Sequence, residues 1–418
     1  MGIICTIFLF ALLIISLAGQ KLNCGNIKLK SIFLALWFLI SLFSNFRFEG
    51  LYPISNDAYI LVIVGCLSYL IGYSLKKTRL IYNNHSYQTT IFSPIFRFHY
   101  YIVLIFAIFV VVKQIELLLP IIIANGMSEA RGGMGDPDMI LTGFWPVLLA
   151  YFAKPFLMAS LIVILLQFFR KSFSWQKLCL LLLLCVVYFF SEGGRLFLMD
   201  LMFCLIYIAY THKNLIDNKR KKYVIWGIAF FALASIFATL QRGSDILGNL
   251  NFYYCGSLGY LGNFLNSPDA DSSNFLYGLT SYQGFLSPIY GLLGIIGIDK
   301  PEALKNATEF IMTCQHTTYQ ISPDVSINYY ASCFGYAYHD GGIIAVIFVL
   351  MFYGFMCAYI DQKEVTHPYD TFWLSIKCVF VYTSLFTMAI FPFAKYLYPM
   401  TMFYIWVILK FLTYKKEI

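Results

Sequence analysis

Three arginines stand beside glycines where the chain leaves an apolar run. Arg131 lies in Ala130-Arg131-Gly132-Gly133, Arg195 follows Gly193-Gly194, and Arg242 precedes Gly243. A guanidinium bonds two phosphate oxygens at once, and glycines let backbone N–H groups approach a phosphate closely. The pattern predicts binding of a diphosphate. Ordinary turn chemistry explains any one of the three alone, and a side chain that reaches interfacial water also explains Arg195.

A histidine and an aspartate end the most aromatic stretch of the chain. His339 and Asp340 follow the run 329–338 and precede the apolar run that begins at Gly341. A base at the mouth of a helix bundle can take the proton of an attacking hydroxyl, so both residues are candidate general bases. An N-cap for the following helix explains Asp340 without catalysis. His316 is a weaker candidate base.

Two pairs of aspartates have the D-x-D spacing with which some glycosyltransferases bind a divalent cation. The pairs are Asp136 with Asp138, and Asp269 with Asp271. Two carboxylates in a turn are common by chance and are usually just solvated. We therefore predict no metal site and no cofactor.

Composition places these residues in a membrane protein. Hydrophobic residues make up 60% and charged residues 12% of the 418 residues, far from soluble globular usage. A bilayer core about 30 Å thick needs roughly 20 apolar residues per helix. We count eleven such segments: Ile3 to Leu17, Ser31 to Ser44, Ala58 to Tyr73, Tyr100 to Ile123, Ile140 to Phe169, Leu178 to Phe190, Leu196 to Tyr210, Val224 to Leu240, Gly341 to Tyr359, Thr371 to Ile390 and Met400 to Leu412. We expect an all-α integral membrane protein with about 11 transmembrane helices, forming a single polytopic domain over residues 1–418.

The basic residues predict the orientation. Most of the 29 Lys and Arg residues lie in alternate connections, such as 213–222 and 415–416. Because Lys and Arg are retained on the cytoplasmic side, we expect an external N-terminus, a cytoplasmic C-terminus and a large external loop over residues 241–340. No basic residue precedes Lys21, which favours an uncleaved first helix over a signal peptide. The net charge of +8 is explained by topology, so nucleic-acid binding is not expected.

The external loop is rich in Tyr, Phe, Gly and Asn. Its runs Asn251 to Leu265 and Leu279 to Ile296 predict short helices at the outer interface, with a flexible loop as the alternative. In an oxidising compartment, one disulfide could form among the three loop cysteines: Cys255, Cys314 and Cys333.

This layout resembles the Wzy-type oligosaccharide repeat-unit polymerases, which build bacterial O-antigen, capsule and exopolysaccharide. The similarity lies in many membrane spans with one large external loop about three-fifths along the chain. It also lies in Gly193-Gly194-Arg195 at the start of a helix and in the run from Phe334 to Gly342, which is similar to that family's loop exit. The resemblance covers most of the chain by topology and a few dozen residues by pattern.

The resemblance implies a glycosyltransferase of the membrane-embedded GT-C kind, with its active site on the periplasmic face of the bacterial inner membrane. The donor would be an oligosaccharide on undecaprenyl diphosphate, which is the leaving group. Expected partners are membrane lipid, a flippase that delivers repeat units and a chain-length regulator. The three arginines would stabilise the diphosphate, and His339 or Asp340 would be the base. Sugar faces would stack on aromatic rings: Tyr329, Tyr330 and Tyr336.

Two other functions stay open. A ligase that moves finished polymer from the same carrier to lipid A would have nearly this layout. A transporter or flippase for lipid-linked oligosaccharide would use the lysines that interrupt apolar helices, which are Lys113, Lys154 and Lys377. Such transporters often consist of two related halves, whereas this sequence has no detectable internal repeat.

Overall fold

The computed structural model of the chain describes residues 1–21, 27–47, 50–76, 92–133, 141–168, 175–192, 196–211, 222, 225–229, 232–233, 246–323, 325–328, 331–368 and 370–417. Its helices, numbered in chain order, are α1 (Gly2–Lys21), α2 (Leu29–Phe46), α3 (Asn56–Leu75), α4 (Phe98–Gly133), α5 (Trp145–Leu148), α6 (Lys154–Phe168), α7 (Trp175–Glu192), α8 (Leu196–Thr211), α9 (Ile246–Leu265), α10 (Leu279–Leu293), α11 (Glu302–His316), α12 (Ser332–His339), α13 (Gly342–Thr366), α14 (Thr371–Phe386) and α15 (Leu397–Phe411). A π-helical turn, Leu149–Ala153, joins α5 to α6. The strands are β1 (Phe92–Phe96), β2 (Tyr319–Ser322), β3 (Val325–Ile327) and β4 (Thr413–Glu417).

The helices follow the predicted apolar segments. Each predicted segment coincides with helix except Val224 to Leu240, which lies mostly outside the described residues. Within the described part, five helices are long and apolar enough to cross a membrane: Leu29–Phe46, Asn56–Leu75, Phe98–Ala124, Trp145–Gln167 and Gly342–Thr366. Shorter apolar helices accompany them. By length and composition, the chain is a nearly all-α, multi-pass membrane protein.

Helices α3 and α13 pack closely because glycines let their backbones approach. A Cβ atom at Gly72 would meet the carbonyl oxygen of Met351, and one at Gly354 would meet that of Tyr69. Small residues permit such close contact between membrane helices. Beside this contact, the rings of Phe33 and Tyr69 stack with centroids 4.2 Å apart. Helices α3 and α13 therefore form the centre of the bundle.

Helix α14 ends inside the bundle. Its 16 residues are about 24 Å long, which is less than the thickness of a bilayer core. Residues 387–396, here called the return segment, are non-helical apart from one 3-10 turn and lead back into α15. Phe391 and Phe393 of this segment contact the ring of Tyr353, about three turns from the start of α13. The return segment therefore lies about halfway along α13.

The return segment finds its hydrogen-bond partners in α12. The N–H of Cys333 donates to the carbonyl oxygen of Thr387 at 2.7 Å. The N–H of Ser332 donates to that of Ala389 at 3.1 Å. Non-helical backbone at membrane depth is tolerated only where protein or a water-filled cavity satisfies it. Helix α12 therefore supplies the hydrogen-bond donors that the carbonyl groups of the return segment need at this depth.

Helix α10 has an inverted distribution of polarity. Thr280, Ser281 and Gln283 are buried, whereas Ile289 and Leu292 are 53% and 57% exposed. A helix on the surface of a water-soluble protein has the opposite arrangement. The exposed face of α10 therefore suits hydrocarbon, in line with the predicted interfacial helix over Leu279 to Ile296.

The region 246–328 consists largely of helices and strands, so the alternative of a flexible loop is wrong for its described residues. Helices α9 to α11 alternate with turns, and β2 pairs antiparallel with β3 so that Tyr319 lies opposite Ile327. The strands β1 and β4 form a second antiparallel pair at the other end of the bundle. This structure has no disulfide among the three loop cysteines, which are buried: Cys255, Cys314 and Cys333.

Candidate functional site

Asp340 holds the start of helix α10. Its Oδ1 accepts the N–H of Thr280 at 2.8 Å, and its Oδ2 accepts the N–H of Ser281 at 3.0 Å. These donors have no partner within the first turn of the helix, so Asp340 caps α10 from about 60 residues away. The alternative prediction, that Asp340 is the N-cap of the following helix, is wrong. Gly341 is the N-cap of α13, and no side chain caps that helix. Burial raises the pKa of Asp340, and its hydrogen bonds oppose that rise.

His339 is buried beside this cap as a neutral imidazole. Its Nδ1 lies 3.0 Å from the hydroxyl of Thr280, and its ring stacks on Phe310 with centroids 3.7 Å apart. Burial lowers the pKa of His339 to about 4, so the ring is uncharged at neutral pH. A pKa this far below neutral makes the imidazole a weak proton acceptor at neutral pH.

The buried imidazole predicts a pH dependence of stability. The pKa of His339 is lowered to about 4 in the folded protein, against about 6.5 in an unfolded chain. Its stabilising contribution is therefore complete above pH 6.5 and is lost as the pH falls towards 4. We expect the thermal midpoint of the purified protein to fall less over this range in His339→Gln than in the wild type. The exposed His316→Gln is the control, and equal slopes for wild type and His339→Gln would contradict the assignment.

A cleft of about 580 Å³ opens between α10 and the junction of α5 with α6, and we call it the lysine cleft. Its polar lining includes Lys300, Lys305, Tyr151 and Tyr290, together with the carboxylate of Asp299. Apolar side chains around residues 144–147 and 295–298 form the remaining wall. The side chain of Lys305 is half exposed, and its Nζ forms a long ion pair with Glu302 at 3.6 Å. The lysine cleft thus joins cationic and phenolic groups to an apolar surface.

Several predicted substrate-binding residues fall outside the described residues: Arg195, Arg242, Tyr329 and Tyr330. The side chain of Arg131 is also not described, but its backbone belongs to α4, which continues to Gly133. Arg131 therefore lies in a helix and not in a turn after it, and its binding of a diphosphate stays a prediction. The residues before it, Met127 to Ala130, include good helix formers that extend α4 up to the glycines.

Tyr336 is fully buried within α12. Its ring packs edge-on to Phe310 with centroids 5.6 Å apart, so no face of the ring is open to a sugar in this arrangement. Of the predicted D-x-D pairs, Asp269 lies in the 3-10 turn Pro268–Ala270 and Asp271 directly follows it. In the part of the chain that is described, no three His, Cys, Asp or Glu residues are grouped so that they could hold a metal ion.

A buried group of charges, which the sequence did not lead us to expect, lies at the opposite end of the bundle. Lys377 of α14 is fully buried and forms ion pairs with Asp361 and Glu364 of α13, the second with a distance of 3.0 Å. The hydroxyl of Tyr73 donates to Asp361 at 2.5 Å, and that of Tyr207 donates to Glu364. We call these five side chains the charge cluster. It ties α3 and α8 to α13 and α14.

The signal for the charge cluster was present in the sequence. Asp361 and Glu364 are three residues apart, a spacing that places both on one face of a helix. We ended the ninth apolar segment at Tyr359, which assigned both carboxylates to a cytoplasmic connection. Because the helix continues to Thr366, they lie inside the bundle and reach Lys377.

No protein-family model matches the chain, and neither a curated protein sequence nor a solved structure does. The class of protein is therefore inferred from the described residues alone. The chain is a multi-pass helical membrane protein in which the helices α9 to α12 fold onto one end of the bundle.

Proposed function

We propose that the protein is a membrane glycosyltransferase that joins undecaprenyl-diphosphate-linked oligosaccharide repeat units into O-antigen, capsule or exopolysaccharide. This is the function that the resemblance to Wzy-type polymerases implies. The lysine cleft is the observation that best supports it. A polyprenyl diphosphate has an anionic head and a long apolar tail, and the cleft has lining of both kinds.

The lysine cleft fits such a donor in its charges and its position. Lys300 and Lys305 line the cleft together with one carboxylate, that of Asp299, and Lys305 also forms a long ion pair with Glu302 at 3.6 Å. Ammonium groups stabilise the negative charge that develops on a departing diphosphate. The exposed apolar face of α10, at Ile289 and Leu292, borders the cleft and offers a path for the tail. Phe144, Tyr151 and Tyr290 line the cleft with aromatic rings on which a sugar can stack.

The reaction would proceed by displacement at the anomeric carbon of the donor. A hydroxyl of the acceptor unit forms the new glycosidic bond, the bond to the diphosphate oxygen breaks, and the hydroxyl proton passes to a base. His339 does not line the lysine cleft, and burial that lowers its pKa to about 4 makes it a weak base. The carboxylate of Asp299 lines the cleft, and we assign it as the base. Asp340 has both oxygens occupied by backbone N–H groups, and we assign it to positioning of α10.

The proposal predicts that the cleft lysines are needed for chain extension. In a strain deleted for this gene, the wild-type protein should restore a ladder of surface polysaccharide. Lys300→Ala with Lys305→Ala should leave mainly single-repeat product, because the diphosphate loses both counter-charges. The matched control is Lys410→Ala, an exposed lysine at the other end of the bundle. Protein abundance is measured in each strain.

The outcomes separate the candidate enzymes. Single repeats on deletion and in the double lysine variant support a polymerase that uses the lysine cleft. Loss of all surface repeats on deletion points to a ligase or a flippase. A normal ladder from the lysine variant excludes the cleft, and the same assay with Arg195→Ala and Arg242→Ala then tests the arginines predicted from the sequence.

The charge cluster favours a second candidate, a transporter or flippase for lipid-linked oligosaccharide. Ionisable residues inside a membrane bundle often belong to proton or substrate pathways. Lys377, which a transporter would use, has two carboxylate partners in α13. Transport of labelled lipid-linked oligosaccharide into vesicles that contain the purified protein would support this candidate and overturn the enzyme.

A further inference from the structure

A second cleft lies at the same end of the bundle as the loop helices, between α1, α2 and the start of α3. Its volume is about 580 Å³, and we call it the Arg47 cleft. The segment that leads into α3 is fixed there, because the N–H of Tyr52 donates to the carbonyl oxygen of Ile321 at 2.8 Å. The two clefts share no lining residue.

One wall of the Arg47 cleft is polar and held by hydrogen bonds. The amide of Asn45 donates to the hydroxyl of Thr6 and to the carbonyl oxygen of Ser41, both at 2.8 Å. The hydroxyls of Thr6 and Ser41 lie 2.7 Å apart. This network fixes the end of α2 and therefore the position of Arg47, which follows it and lines the cleft.

Arg47 places a positive charge at that mouth in a strained backbone conformation. It ends α2 with a φ of 47°, in the left-handed region where glycine or asparagine is usual. A residue with a Cβ atom adopts this conformation only at a cost in free energy, and such strain is concentrated at functional positions. Among the described residues its guanidinium has no ion-pair partner.

The opposite wall of the cleft is apolar and faces outward. Ile3 and Ile7 of α1 line it and are 68% and 64% exposed, and Phe46 is exposed beside them. In a protein that crosses a membrane, side chains of this kind contact acyl chains. The cleft therefore places a cation next to a surface that suits hydrocarbon.

We infer that the Arg47 cleft binds the phosphate headgroup of an anionic phospholipid, with one acyl chain along α1. The guanidinium can bond two phosphate oxygens at once, and Asn56 lines the same cleft with a further amide. A soluble phosphate would use the polar wall alone. The exposed isoleucines favour the lipid.

The test uses the full-length protein in detergent and the variant Arg47→Gly. Glycine accepts the left-handed conformation without strain, so this variant keeps the backbone and removes the charge. Binding of phosphatidylglycerol and of phosphatidylcholine is measured by native mass spectrometry. We expect Arg47→Gly to bind phosphatidylglycerol roughly tenfold to a hundredfold more weakly, since it loses hydrogen bonds to a charged group. Lys410→Gln, at the other end of the bundle, should bind it like the wild type.

A second measurement separates binding from folding. Without lipid, Arg47→Gly should melt at or above the temperature of the wild type, because strain is relieved. Added phosphatidylglycerol should raise the melting temperature of the wild type and leave that of the variant unchanged. Equal binding by both proteins would overturn the inference. So would release of the lipid by millimolar inorganic phosphate, which would identify a soluble anion as the ligand.

Discussion

Lys377→Met is expected to remove most of the stability of the protein. The ammonium group is fully buried between Asp361 and Glu364, and methionine leaves both carboxylates buried without it. Removing one partner of a buried ion pair costs about 3–5 kcal/mol in free energy of unfolding. We expect a large drop in the fraction of monodisperse protein after heating in detergent, measured by size-exclusion chromatography.

The control for Lys377→Met is another lysine that interrupts an apolar helix. Lys113 is 40% exposed and forms a single ion pair with Glu116 at 3.5 Å. Its change to methionine together with Glu116→Gln removes both charges of the pair, so it should lower the free energy of unfolding much less than Lys377→Met does. If the two lysine variants melt alike, the charge cluster does not stabilise the bundle.

A triple variant tests whether the loss comes from uncompensated charge. Lys377→Met combined with Asp361→Asn and Glu364→Gln removes every formal charge of the cluster and keeps side chains of similar size. Replacing a whole buried ion pair is often neutral, unlike breaking it. We therefore expect the triple variant to melt well above Lys377→Met alone. If the triple variant is as unstable as Lys377→Met alone, the loss of stability comes from the shape of methionine and not from the unpaired carboxylates.

Gly354→Val is expected to separate the two helices at the centre of the bundle. A Cβ atom at Gly354 would meet the backbone carbonyl of Tyr69, and the backbone of a helix cannot move aside as a side chain does. Overpacking typically costs about 1–3 kcal/mol in free energy of unfolding, and a clash with backbone places this variant at the upper end of that range or above it. The same measurement in detergent should show early aggregation.

The chain offers a matched glycine for this experiment. Gly294 has an ordinary φ of −60°, and a Cβ atom there would have nothing within 4 Å. Gly294→Ala should leave the melting temperature near that of the wild type. Wild-type stability in Gly354→Val would refute the close contact between α3 and α13.

The sequence predicted the positions of the helices well, because long apolar runs in a membrane protein permit little else. The run Thr371 to Ile390 shows the limit of that rule. Apolar composition indicates only that a segment is removed from water, and the return segment is as apolar as a membrane helix. Only its backbone partners in α12 show that the chain turns there, after Phe386. These partners are more than 50 residues away in the chain, at Ser332 and Cys333.

The candidate site was predicted in part. The sequence shows that His339 and Asp340 stand at the end of a polar stretch, but the hydrogen bonds to Thr280 and Ser281 arise from tertiary contact. Lys300 and Lys305 of the cleft lie within the predicted external loop, and the sequence analysis assigned them no role. Their approach to Tyr151 depends on how α10 packs.

The charge cluster has a consequence for membrane insertion. A lysine near the centre of a transmembrane helix raises the free energy of membrane insertion by about 2.5–3.5 kcal/mol. Insertion of α14 alone is therefore unfavourable at Lys377. Only a short turn separates α13 from α14, so Asp361 and Glu364 reach the insertion machinery just before Lys377. The two helices are then best inserted as one hairpin. In an assay of insertion by microsomes, α14 should enter less often when the preceding α13 carries Asp361→Asn and Glu364→Gln, and equal insertion would exclude such coupling.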